Sequence, residues 1–333
     1  MKNAPRRVTI IMLCIALLVL TILSLNAGRV WVPLDVWGAH LWRNSPMDPR
    51  WVIIIELRLP RTLLGIAVGA ALGMSGAAMQ GYTRNPLADP GILGVSSMAA
   101  LGAVLCLYTG ITVREPWILS VAAMIFAVAG VLLLLALAGM TSSVITFILA
   151  GIILNTVATA GVALALNLAP NPWAVNEIVN WLMGSLADRS INDVLLATPF
   201  ILIGCLLLLG TSRALDALTL GETGARSLGI NMSTTRWLLA VGAGLTTGAS
   251  VAATGVIGFV GLITPHLIRP LVGSRPGELL LPSALAGAVI VLAADIVVRL
   301  TPSAAEVKLG VAMAVLGGPF FLLLLMSLRR RLA

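Results

Sequence analysis

Between Val8 and Leu25 the chain carries no charged residue, and apolar runs of similar length recur to its end. A bilayer-crossing helix needs roughly 20 such residues in succession, whereas a membrane strand alternates polar and apolar residues over about 10. The pattern therefore predicts an all-α integral membrane protein and excludes an outer-membrane barrel. Charged types make up only 10% of the 333 residues and hydrophobic types 59%, against about a quarter charged in soluble domains. The formal charge of +8 is no nucleic-acid signature here, because Lys and Arg flank spans and orient them.

Ten spans are expected, at about Val8–Ala27, Thr62–Gln80, Ile92–Tyr108, Trp117–Ala138, Val144–Leu168, Val194–Gly210, Thr235–Ala253, Val256–Leu271, Leu279–Leu300 and Leu309–Leu328. The first is too long for a signal-peptide core and is read as a retained span. An even count puts both termini on one side. Arg6, Arg7, Arg329, Arg330 and Arg331 make that side cytoplasmic. The whole chain, 1–333, reads as a single transmembrane domain. Residues 29–57 form an outer stretch whose Trp31, Trp37, Trp42 and Trp51 suit an interfacial belt. Residues 169–193 form an outer re-entrant connection with a short helix at Trp173–Leu186. Residues 211–234 are the largest inner loop.

Small residues recur every fourth position at Gly65, Gly69, Gly73, Ala77 and Gly81, again at Gly244, Gly248 and Ala252, and again at Gly310, Ala314 and Gly318. That spacing makes a nearly bare helix face, fit for close packing within one chain or against a second. The fifth span places Asn155 and Thr159 on one face. They can bond another helix or line a watery path.

Charges gather at the outer edge. Arg58 and Arg61 share a face if the helix has begun, with Pro60 suited to its first turn. Asp295 and Arg299, at i and i+4, can neutralise each other. Local pairing and docking of an acidic partner both fit these residues.

Residues 221–229, GETGARSLG, look at first like a phosphate loop. They lack the lysine and the strand-to-helix setting of one, and no GxxxxGK[ST] occurs anywhere. Glu222 and Arg226 are spaced to pair along a short helix. Cys14, Cys106 and Cys205 lie in apolar runs with no metal-ligand spacing, so no metal and no cofactor are expected. His266, in TPHLIRP, reads as a packing or capping residue. No catalytic constellation is present. An ion-coupled secondary transporter needs intramembrane ionisable groups, and Asp295 is the main candidate.

Taken together, ELRLPRTLLGIAVGAALGMSGAAMQGYTRNPLADPGILGV, WLMGSLADRS, LGETGARSLGI, GVIGFVGLITPHLIRPLVG, LLPSALAGAVIVLAADIVVR and LGVAMAVLGGPFFLLLL resemble the FecCD-type permeases. These are the membrane subunits of ATP-binding-cassette importers for iron chelates, haem and vitamin B12. The match runs in family order over about residues 53–326. It implies a BtuC-like fold of about ten helices in a bacterial inner membrane. The implied partners are a second permease subunit, identical or a sibling, a cytoplasmic ATPase dimer and an outer substrate-binding protein. The permease itself has no ATPase site.

By the same resemblance, Arg58, Arg61 and Arg299 meet glutamates of the binding protein. Residues Leu215 to Leu228, with Leu220, Gly221, Glu222, Ala225 and Arg226, form two short helices that couple to the ATPase. Asn155 and Thr159 fall on the central path, and Thr141–Val144 on an inner gate. The implied cargo is a metal chelate, with a ferric siderophore first and haem or cobalamin next. An ion-coupled secondary transporter is the alternative. Many relatives read ELPVG before the last span, where this chain reads Glu306-Val-Lys308-Leu-Gly310.

Overall fold

The computed structural model describes residues 6–28, 30, 32, 49–139, 143–302 and 306–332, with the side chains of 49, 324, 325 and 327–332 left out. Trp31, Trp37, Trp42 and, of the expected gate, Thr141 and Ser142 lie outside them, as do the side chains of Arg329, Arg330 and Arg331.

The described residues are helical, without strands. In chain order they form α1 (Arg6–Asn26), α2 (Arg50–Thr83), α3 (Val95–Thr109), α4 (Trp117–Ala138), α5 (Val144–Asn167), α6 (Pro172–Leu182) and α7 (Ile191–Gly210). Two short helices follow, α8 (Ser212–Leu218) and α9 (Gly221–Ser227). The chain ends with α10 (Met232–Thr254), α11 (Val260–Val272), α12 (Pro276–Leu300) and α13 (Leu309–Leu332).

Each expected span has an apolar helix, and among the described residues seven of these, α1, α2, α4, α5, α7, α10 and α12, are long and apolar enough to cross a membrane. The apolar helices Val95–Thr109 and Val260–Val272 are shorter. A 13-residue helix such as α11 reaches about 20 Å, short of a hydrocarbon core of about 30 Å.

Helices α2 and α10 form the centre. Of their apolar windows 78% is buried within the chain, against 17% in α1. Close packing holds this centre together, as it must where lipid replaces water as the surroundings. Helix α2 lies along α12. A Cβ on Gly73 would sit 2.2 Å from the Ser283 carbonyl oxygen, and one on Gly287 would sit 2.1 Å from that of Gly69. Gly244 and Gly248 let α10 close on Val131 and Ala127 of α4. The first two small-residue stripes thus serve packing inside the chain. On the third, Gly310 abuts the Met183 carbonyl while Gly318 has open space.

Two boundaries differ from the sequence expectation. Helix α2 starts well before Thr62 and passes through a π-helical turn at Ile53–Arg58. Pro60 is therefore not at the start of the long helix; a wider turn just ahead of it accommodates the missing N–H. The segment expected at Val256 becomes helical only at Val260. Gly255, at φ +73°, ends α10 with its Cα so close to the Trp181 carbonyl that a Cβ would approach to 2.2 Å. Residues 255–258 stay irregular and wall a cavity, where non-helical backbone at membrane depth is tolerated.

Candidate functional site: an outer rim, a central cavity and an inner coupling loop

At one end, the π-helical turn, the ends of α1 and α12 and the α6–α7 connection surround a cavity of about 570 Å³. Arg58, 6% exposed, donates to the carbonyls of Leu25 (3.0 Å), Asn26 (2.7 Å) and Val30. Gly28 permits this, since a Cβ there would stand 2.9 Å from the guanidinium. Arg61 instead binds Asp295 through two N–H groups, at 3.0 and 2.7 Å, and also pairs with Glu306. Arg299 holds the other Asp295 oxygen at 3.0 Å and donates to the Ser24 carbonyl at 2.9 Å.

Asp295 is 0% exposed and bridges two arginines, a geometry that answers the cost of burying its charge. The expected Asp295–Arg299 pair is present, and Arg61 joins it from 234 positions away. Arg58 and Arg61 line the same cavity yet engage different partners. Sequence reasoning missed Glu306 as a partner. One signal was available: Asp295 and Glu306 are the only acidic residues from Leu279 onward.

A second cavity of about 420 Å³ lies between α10, the irregular segment after it, the Pro90–Leu93 turn and α5. Asp89, Ser96, Ser97, Asn155, Thr247, Ser250 and Thr254 contribute its polar side chains. Most are already engaged. Ser97 donates to the Asn155 side-chain carbonyl. Thr247, Ser250 and Thr254 donate to backbone carbonyls one turn earlier, Thr254 at 2.8 Å. Asp89 accepts from the Gly91 N–H at 2.8 Å; burial lifts its carboxyl above the usual range, and that bond works against the rise. A wall with most of its hydrogen bonds satisfied offers shape and few strong contacts. Asn155 is thus both an interhelical partner and a lining residue, while Thr159 lines an adjoining space of about 300 Å³.

The loop at 211–234 carries the two seven-residue helices α8 and α9. Its residues sort into two groups. Leu215 and Ala225 are fully buried, while Leu220 and Leu228 are 68% and 63% exposed. Arg226 lies 3.8 Å from Glu222. Two bonds tie the loop to spanning helices. Val144 donates its N–H to Glu222 Oε1 at 3.0 Å, where Ser143 caps α5. Gly277, at the start of α12, donates to Asp216 at 2.8 Å. Gly277 has no Cβ to collide with the Ser212 carbonyl, which would lie 2.5 Å away. Neither tie is visible from local spacing, since each spans more than 60 positions.

Among the described residues no group of His, Cys, Asp and Glu could hold a metal ion. His266 stacks edge-on against Phe320 at 5.8 Å.

Comparison with known proteins gives a consistent result. The model of the FecCD transport family matches residues 16–327. The chain is 37% identical to the uncharacterized ABC transporter permease protein YvrB of Bacillus subtilis, over 93% of this chain and 90% of that one. It is 36% identical to the hemin transport system permease protein HmuU of Yersinia pestis, over 96% and 97%. It is 37% identical to the vitamin B12 import system permease protein BtuC of Klebsiella pneumoniae, over 96% and 93%. A solved structure described as an inward-facing conformation of a putative metal-chelate type ABC transporter superposes with a TM-score of 0.85 at 33% identity, covering 96% of this chain and 98% of that one. These matches span nearly the whole chain, and it belongs to the FecCD transport family, as a membrane-spanning ABC transporter permease rather than a catalytic enzyme.

Proposed function

We propose that this permease is the translocation subunit of an ATP-driven importer for a metal chelate, acting in a bacterial inner membrane with both termini cytoplasmic. A ferric siderophore is the first expected cargo, with haem and cobalamin next. The observation that carries the reading is the double tie of the 211–234 loop. Glu222 and Asp216 bond the first turns of α5 and α12, so a partner that moves α8 and α9 moves a wall of the central cavity with them. The exposed Leu220 and Leu228 form the contact with an ATPase dimer. Leu215 and Ala225 form the packing that holds this contact rigid.

On the outer side, the arginines at 58, 61 and 299 supply a positive field for acidic side chains of a substrate-binding protein. A second permease subunit completes the path, which Asn155 and Thr159 line. The engaged hydroxyls of the cavity leave selectivity to the binding protein. The whole chain acts as one permease domain, with residues 169–193 dipping back toward the membrane around α6. Cells lacking the gene and complemented with it would be given radiolabelled ferric siderophores, haem or cobalamin. Restored uptake of one of these is expected, and equal uptake of all three with and without the gene would remove the reading.

A further inference from the structure

The outer cavity holds more positive charge than its internal partners balance. Among the described residues five cations line it: Arg58, Arg61, Arg189, Arg299 and Lys308. The carboxylates in its lining are Asp188 and Glu306, with Asp295 sealed beneath. The partners of Arg58 are carbonyls, which leave its charge uncompensated. Arg189 and Arg299 each bury an Nε–H that has no hydrogen-bond partner. Burial lowers the pKa of Arg189 from its ordinary value, partly offset by Asp193 and Asp188.

The two carboxylates on Arg61 differ in one decisive way. Asp295 is wholly buried between two arginines, whereas Glu306 is 34% exposed and sits on the non-helical segment before α13. Of the two, Glu306 is the one an incoming group can replace. Asp295 stays on Arg61 throughout, and a carboxylate that replaces Glu306 restores the second ionic bond of the guanidinium, so the exchange loses no charge-assisted hydrogen bond. The cavity is large enough for a whole acidic side chain beside the displaced one.

We propose that this cavity is a seat for an acidic side chain of the docking protein, that Glu306 is its internal placeholder on Arg61, and that Arg189 and Lys308 complete the seat. The proposal rests on the docking reading above and adds an exchange to it. Glu306 occupies the seat while no partner is present, and docking moves it toward Lys308, two residues along the same segment. The placeholder lowers affinity for any weakly acidic surface and so favours a partner that brings a well-placed carboxylate.

The test uses the full chain in nanodiscs and a fluorescent hexaglutamate peptide as the probe. Glu306→Gln removes the competitor and is expected to tighten peptide binding about fivefold, while Arg189→Gln and Lys308→Gln each weaken it about tenfold. Wild-type strength or weaker binding in Glu306→Gln overturns the placeholder. If that variant fails to fold, the Arg189→Gln/Lys308→Gln double variant decides: unchanged binding overturns the seat. Peptide that binds the wild type but ignores all three substitutions sinks this inference alone. Peptide that binds no form of the chain removes the docking reading at this rim as well.

Discussion

The Glu222 carboxylate accepts the Val144 backbone N–H at 3.0 Å, so α9 caps the first turn of α5 across 78 positions. A helix N-terminus favours a negative group, and a hydrogen bond to a charged partner contributes about 1.5–3 kcal/mol. Glu222→Ala should therefore free the amides of the first α5 turn. Hydrogen exchange there is expected to rise by about tenfold or more, with Glu222→Gln in between. Equal protection in all three forms would show that α9 does not hold α5.

The 211–234 loop separates buried from exposed positions. Leu215 is fully buried, and Leu215→Ala should cost about 2–5 kcal/mol in stability. Leu220→Ser and Leu228→Ser, at exposed positions, should change stability by less than about 0.5 kcal/mol yet abolish stimulation of the ATPase. Unfolding of the purified chain and ATP hydrolysis by the assembled complex measure the two effects. Full stimulation in the double serine variant contradicts the contact.

Asp295 joins two arginines in a buried site. Asp295→Asn leaves Arg299 without its carboxylate partner and Arg61 with Glu306 alone, and breaking a buried pair in this way costs about 3–5 kcal/mol. Thermal unfolding in detergent should show this as a large drop in midpoint. A midpoint equal to that of the wild type would mean that the pairings contribute nothing net.

Bare helix faces make a sharper prediction. Gly73→Val must push the Ser283 backbone away from 2.2 Å, and overpacking of this kind costs about 1–3 kcal/mol or more. Gly318→Ala meets nothing within 4 Å and should leave the isolated chain unchanged. Similar losses for both would show that the α2–α12 approach is looser than described.

The helices were legible because apolar run length is a local property. Every expected span found its helix, from Val8–Ala27 to Leu309–Leu328. Their number as membrane crossings was not, since the 13 residues of α11 are apolar but short. Local spacing also showed Asp295–Arg299 and Glu222–Arg226, which are i, i+4 pairs. It could not show Arg61 on Asp295 or Glu222 on Val144, because those contacts depend on how α2, α12, α9 and α5 pack. Arg58 reads in sequence only as sharing a face with Arg61, yet the bare Gly28 lets the chain fold its carbonyls around it. The split of the inner loop into buried Leu215 and exposed Leu220 likewise needs the tertiary structure.

Reconstituted transport distinguishes an ATP-driven from an ion-coupled permease. Proteoliposomes would hold the permease with its co-purifying ATPase, with the binding protein and labelled ferric chelate added outside. Accumulation is expected to require ATP, to stop when the ATPase is inactivated, and to survive ionophores that collapse ion gradients. Uptake that persists without the ATPase and follows an imposed ion gradient would contradict this expectation and favour an ion-coupled secondary transporter.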